Sequence, residues 1–219
     1  MALPNPPTVT SPTASSSLDP GLCNEYISTR KLLSHLISLS SSPSTPLYSV
    51  QTHASLSREK PSIVLHGGAN KKSGPVIGVV KIHPPHGRHF TIGIGYPGAL
   101  IDEGGVRAER MVWEDLHRVK KWTYRLYQFE FGGEGQREVY TWRRTDEGWS
   151  KRMKSMELRV GKDGDEGDLV AVWRGSKGVK VKSGSMFVKR RGEFQEDGKW
   201  DLMVLLTGLS IIESFVRRS

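Results

Sequence analysis

Cysteine is nearly absent. A single Cys23 in 219 residues excludes a disulfide framework and any cysteine-rich zinc or iron–sulfur centre, and fits a reducing compartment. Acids are the next shortage, with 23 Asp and Glu against 32 Lys and Arg and a formal charge of +9. That excess suits anionic surfaces, either phospholipid or nucleic acid, and says nothing about fold. Long apolar runs are missing too. The one strongly apolar stretch, Leu202 to Ile212, lies between Asp201 and Glu213 and falls well short of the roughly 20 residues a spanning helix needs. No transmembrane segment is expected. The first 22 residues hold no Lys or Arg, which is not the pattern of a secretory signal, so the expected locations are the cytoplasm, peripheral membrane surfaces and the nucleus. Gly is plentiful at 24 but has no three-residue period, which excludes collagen-like order.

What is present divides at about residue 45. Residues 1–22 are dominated by Pro, Ser and Thr, a composition that buries too little apolar surface to offset the entropy of ordering. Residues 24–39 place Leu32, Leu33, Leu36 and Ile37 at helical spacing, so residues 1–45 are expected to form a disordered tail with a short amphipathic helix. From residue 46 to 219 one domain is expected. Apolar and polar residues alternate there in short runs, as in Tyr48 and Val50, Phe90, Ile92 and Ile94, Met156, Leu158 and Val160, and Leu169, Ala171 and Trp173. Gly, Pro and Asp turns separate the runs, which is the pattern of consecutive antiparallel strands. A phase shift between Leu126 and Tyr127 suggests a bulge.

Helical spacing governs only the end, WDLMVLLTGLSIIESFVRR. Its apolar side chains point in nearly all directions, with Thr207, Ser210 and Ser214 as a narrow polar stripe, and such a helix has to be surrounded. Asp197 or Asp201 is expected to cap its start, and Arg217 and Arg218 suit its C-terminal end. Ten to twelve strands followed by an engulfed helix imply a mainly β fold, a closed antiparallel barrel of about twelve strands around a central hydrophobic C-terminal helix.

The segments PLYSVQ, VYTWRRTDEGW, DLVAVWR and KWDLMVLLTGLSIIESFVRR resemble the tubby C-terminal-like superfamily, which includes the tubby proteins, the plant LURP-one-related proteins and the phospholipid scramblases. The resemblance covers about residues 46–219. It implies a twelve-stranded barrel around a central helix, phosphoinositide headgroup binding as in tubby proteins, and membrane action as in scramblases. No headgroup-binding position of the family is carried over to this chain.

The strongest local charge feature is Arg174 to Arg191, which holds seven Lys and Arg and no acid. Lys180 and Lys182 alternate with Val179 and Val181, which on a strand would set both ammonium groups on one face. With Lys189, Arg190 and Arg191 they form the candidate lipid-headgroup site, since a basic cluster of this size recruits a protein reversibly to an anionic leaflet. The alternative is a solubilising strand face. A second basic group, Arg143, Arg144, Lys151, Arg152 and Lys154, is interrupted by Asp146 and Glu147.

Other motifs carry less. Gly93, Gly95 and Gly98 match a dinucleotide fingerprint, but Pro97, Gly104 and Gly105 leave no room for the helix it requires, so a loop is expected. His83, His86 and His89 flank a Pro-Pro turn without a carboxylate or thiol to complete a metal shell. Asp163, Asp165, Glu166 and Asp168 do not meet the spacing of an EF-hand loop. No GxSxG elbow or Cys/His arrangement is present, so no catalytic residue, metal or cofactor is expected. The six Trp are expected to pack core and rim. The expectation is a non-catalytic module on anionic phospholipid surfaces. A nucleic-acid partner or a regulatory protein contact is the alternative, and scramblase-like translocation ranks behind both because the terminal apolar run is short and flanked by acids.

Overall fold

A computed structural model describes residues 18–30, 36–42, 45–53, 60–69, 74–83, 88–95, 111–119, 126–133, 135–145, 155–162, 167–175, 184–192 and 198–217. A single 3-10 turn (Pro20–Leu22) leads into β1 (Cys23–Arg30), β2 (Leu36–Ser42), β3 (Thr45–Thr52), β4 (Ile63–Gly67), β5 (Val76–His83) and β6 (His89–Ile94). Then follow β7 (Val112–Arg118), β8 (Leu126–Gly133), β9 (Gln136–Arg144), β10 (Ser155–Val160), β11 (Leu169–Gly175), β12 (Gly184–Lys189) and the helix α1 (Lys199–Val216). The protein is mainly β, with antiparallel strands in one sheet and one C-terminal helix.

Strands adjacent in sequence are adjacent in the sheet. β1 has a neighbour on each side: Ile27 to Arg30 pair with β2, and Cys23 to Ser28 pair with β12, Cys23 opposite Lys189. One seam is thin. Between β7 and β8 only His117–Gln128 and Arg118–Tyr127 are in register, whereas β8 and β9 pair from Leu126–Arg143 to Gly133–Gln136. Arg137, opposite Gly132, reaches across the unzipped half of that seam, donating to the Glu114 carboxylate of β7 at 2.5 Å and to the Glu130 carbonyl at 3.3 Å.

Alternation selects the core, because successive strand side chains point to opposite faces. Phe90, Ile92 and Ile94 of β6, Tyr127, Phe129 and Phe131 of β8, and Tyr140 and Trp142 of β9 all enter one cluster with α1. Five successive helical residues, Leu202 to Leu206, are buried. A helix turns 100° per residue, so five buried in a row leave this stretch without a solvent face. Small residues allow the approach: a Cβ on Gly78 of β5 would stand 2.5 Å from Leu206 Cδ1, and one on Gly208 would stand 2.5 Å from Met186 Cε. The polar stripe is used internally. Thr207 accepts from Trp142 Nε1 at 2.9 Å and donates back to the Met203 carbonyl at 2.8 Å, while Ser210 and Ser214 bond to the Leu206 and Ile211 carbonyls.

Three expectations change. The sheet begins at residue 23, not 46, because residues expected in a tail with a helix over 24–39 form β1 and β2. The inner row of β1 is polar: Tyr26 and Ser28 are buried and Asn24 reaches α1, so no apolar alternation marks it. In β2 the period of two in Ile37-Ser38-Leu39-Ser40 lies inside a run whose leucines also fit helical spacing. Residues 1–17 lie outside the described residues. The helix cap also differs. Gly198, in the left-handed conformation at φ 63°, precedes α1 without a side-chain cap, and Asp201 bonds to β1 instead; Asp197 lies outside the described residues. Register shifts fall at Leu39/Ser40, Ser40/Ser42, Leu65/His66 and Leu158/Arg159, whereas Leu126 and Tyr127, the site of the expected bulge, pair in unbroken register with Arg143 and Trp142.

Candidate functional site

The strands alternate in direction, so the sheet has two rims. The near rim, where α1 begins, includes the Cys23 end of β1, the Lys189 end of β12 and the Gln136 end of β9. The far rim, where α1 ends, includes the Thr52 end of β3, His83 and His89, Arg144, and the turn ends Gly175 and Gly184.

Hydrogen bonds knit the near rim together. Arg190 Nε donates to Asn24 Oδ1 at 2.9 Å, Asn24 Nδ2 donates to Asp201 Oδ2 at 2.8 Å, and the Tyr26 hydroxyl donates to the same oxygen. Burial first, and then the Asp201 charge, push the Tyr26 phenol far above its ordinary value and raise that of Tyr48 beside it. Arg191 is spoken for. Its Nη1 lies 2.8 Å from Glu138 Oε2 and bonds the Tyr140 hydroxyl, and its guanidinium sits 5.6 Å from the Tyr140 ring centroid and 5.7 Å from that of Trp200. The Tyr140 hydroxyl and then Arg191 hold the Glu138 carboxyl below its usual range, against a smaller upward effect of burial. Trp200 Nε1 donates to the Lys189 carbonyl at 3.1 Å.

The far rim is cationic. Arg217 bonds Glu213 at 3.2 Å and the His53 carbonyl at 2.6 Å, Arg144 lies 4.8 Å over the Phe215 ring, and Arg174 lies 5.5 Å over that of Phe187. Lys60, Arg88 and Arg174 are exposed there. His83 and His89 stack with ring centroids 4.6 Å apart on the outer face. His83 Nε2 meets Thr91 Oγ1 at 2.8 Å, Thr91 donates to Asp115 at 3.1 Å, and His89 Nε2 meets the same Asp115 oxygen at 3.0 Å. Because the one Thr91 proton goes to Asp115, its oxygen accepts from His83, which fixes a proton on His83 Nε2.

Of the five candidate headgroup residues, three are described. Lys189, Arg190 and Arg191 stand at the near rim. Lys180 and Lys182 lie outside the described residues, in the segment that joins β12 at Gly184, the opposite end of that strand. Arg190 is exposed, whereas Arg191 is engaged with Glu138, Tyr140 and Trp200. Of the other motifs, Gly93 and Gly95 continue the β6 path with the Trp113 ring across Gly93. Gly98, His86, Asp163, Asp165 and Glu166 lie outside the described residues. Among the described residues no group of three His, Cys, Asp or Glu is placed to hold a metal ion. The near-rim partners Asn24, Tyr26, Asp201 and Glu138 carry no motif, and sequence reasoning missed them; Asp201 and Glu138, acids beside apolar runs, were the signal at hand.

Fold and rims together define a mainly β protein with one enclosed helix and two rims of different charge. No protein-family model matches the chain, and no curated protein matches it. Among solved structures it is similar to the X-ray structure of a protein from Arabidopsis thaliana, at 14% identity and a TM-score of 0.46, over 89% of this chain and 94% of that one.

Proposed function

We propose that the protein is a non-catalytic module that docks reversibly on anionic phospholipid, with phosphoinositide headgroups as the preferred contact. The proposed architecture is a closed barrel of the tubby-like kind whose interior is taken up by α1. The observation that carries the reading is the division of labour between inside and outside: the interior is filled by helical side chains, and a net charge of +9 is carried around it. A filled interior leaves recognition to the surface, and a basic surface meets phosphate. Each Lys or Arg near an anionic leaflet contributes about 1 kcal/mol, which suits transient recruitment.

No helix among the described residues is long and apolar enough to cross a membrane, and α1 could enter a bilayer only by leaving the sheet that buries it. Surface docking is therefore favoured over translocation. Co-sedimentation with vesicles containing phosphoinositide, phosphatidylserine or neutral lipid alone, at low and near-physiological salt, tests the reading. Selective pelleting that survives the higher salt is the expected result. Tight, steeply salt-dependent binding to DNA or RNA without vesicle binding would favour the nucleic-acid alternative.

A further inference from the structure

We infer that the protein meets an anionic bilayer end-on, through the far rim where α1 ends, with the near rim turned away; this orientation rests on the lipid-docking reading above. The exposed charged residues divide by rim. Among the described residues, those exposed at the far rim are Lys60, Arg88 and Arg174, all basic. At and toward the near rim, Asp19, Glu25, Glu130 and Asp168 stand among Arg137, Lys162 and Arg190, so acids there offset the bases. Asp115, the exposed acid one row in from the far rim, is taken by His89 and Thr91.

The connecting sequence leans in the same sense without dividing cleanly: at the far rim Glu59, Asp146 and Glu147 stand among more numerous bases, and at the near rim Lys71, Lys72, Arg107 and Arg110 stand among the acids. The connection from β7 to β8 holds Lys120, Lys121 and Arg125, and that from β11 to β12 holds Lys177, Lys180 and Lys182, neither with an acid; both join strands at the far rim. Asp163, Asp165 and Glu166 fall between β10 and β11, and Glu193, Glu196 and Asp197 between β12 and α1, which join at the near rim. These segments are outside the described residues, and only their sequence and points of attachment bear on the orientation.

Distance keeps the two rims electrostatically apart. Strands of five to nine residues span about 14–27 Å at about 3.4 Å per residue, beyond the screening length of about 8 Å at physiological salt. A leaflet at the far rim therefore feels its cations and little of the near-rim acids. A flat bilayer also engages the whole rim at once, so cations from different strands act together.

The test compares two sets of neutralising substitutions on phosphatidylcholine vesicles containing phosphatidylserine or phosphoinositide. K60Q/R88Q/R174Q at the far rim should lower vesicle affinity about a hundredfold, while K162Q/R190Q at the near rim should change it less than about twofold. Unchanged melting of both variants separates docking from folding. A labelling experiment checks orientation independently. Cys23 is buried, and burial raises its thiol, so an environment-sensitive dye directs itself to a cysteine introduced by R88C or R190C. The R88C label should shift to the blue on vesicles and the R190C label should not. Full binding by the far-rim variant, equal loss from both variants, or a shift only at R190C would overturn the orientation while leaving the lipid reading standing. Release from vesicles by duplex DNA at matched phosphate would overturn the commitment to a bilayer. If the unaltered protein fails to pellet, both fall.

Discussion

Asp201, in the first turn of α1, accepts a hydrogen bond from the Tyr26 hydroxyl of β1, joining residues 175 apart in the chain. The same carboxylate oxygen takes Asn24 Nδ2. Replacing Asp201 with Ala would strand two part-buried donors, so D201A is expected to lose about 2–3 kcal/mol, against about 1 kcal/mol for Y26F, which leaves the Asn24 contact in place. Urea unfolding of both variants checks this, and equal losses would contradict it.

Alkaline pH should weaken the fold through the same pair. Burial and Asp201 raise the Tyr26 phenol, and Tyr48 is raised likewise. A folded value above the unfolded one means that the contribution to stability is complete below the unfolded tyrosine value of about 10. It is lost as pH rises toward the folded value. Unfolding free energy should fall above about pH 10, and Y26F should flatten that fall.

Glu138 predicts the acid side. Its carboxyl is held low by Tyr140 and Arg191, so its contribution is present above the ordinary carboxylate range and lost as pH falls through the depressed value. E138Q should remove part of the acid dependence and leave the alkaline limb unchanged. An acid midpoint identical to that of the unaltered protein would refute the assignment.

Thr207 gives a prediction inside the core. It receives Trp142 Nε1 in a fully buried setting, and Thr207→Val keeps the shape while leaving the indole N–H without that acceptor. The expected loss is about 1–3 kcal/mol. Thr207→Ser should recover most of it, since it restores the oxygen.

Gly78 tests how tightly α1 is gripped. An added methyl would meet Leu206 Cδ1 at 2.5 Å and the Gly93 carbonyl at 3.4 Å, so G78A is expected to destabilise by about 1–3 kcal/mol through overpacking. Combined with Leu206→Val, the loss should be smaller than the sum of the two, which a double-mutant cycle reads directly.

The strands from β3 onward and α1 were legible because their inner rows are apolar: Val50, Leu65, Phe90, Leu116, Phe129, Trp142, Leu158 and Val188 lie in the core at a period of two. β1 was illegible for the opposite reason. Its inner residues Asn24 and Tyr26 are satisfied by Asp201, which lies on an element that no local window includes. The placement of charge was hidden in a related way. A run of like charge from Arg174 to Arg191 reads as one patch along the chain, yet β12 carries the chain from one rim to the other within it. Charge can be counted in a sequence, whereas its division between two rims depends on strand direction.

The order of elements has a consequence for how the protein is made. α1 follows every described strand in the chain, and β1 pairs with β12. During synthesis the early strands therefore emerge without the helix that packs on them, and the inner faces of β3 to β9 wait for residues 199–216. Pairing across such sequence separations is slow and leaves open strand edges in the meantime. Loss of residues 199–216 would strip the sheet of the helix that packs on its inner face.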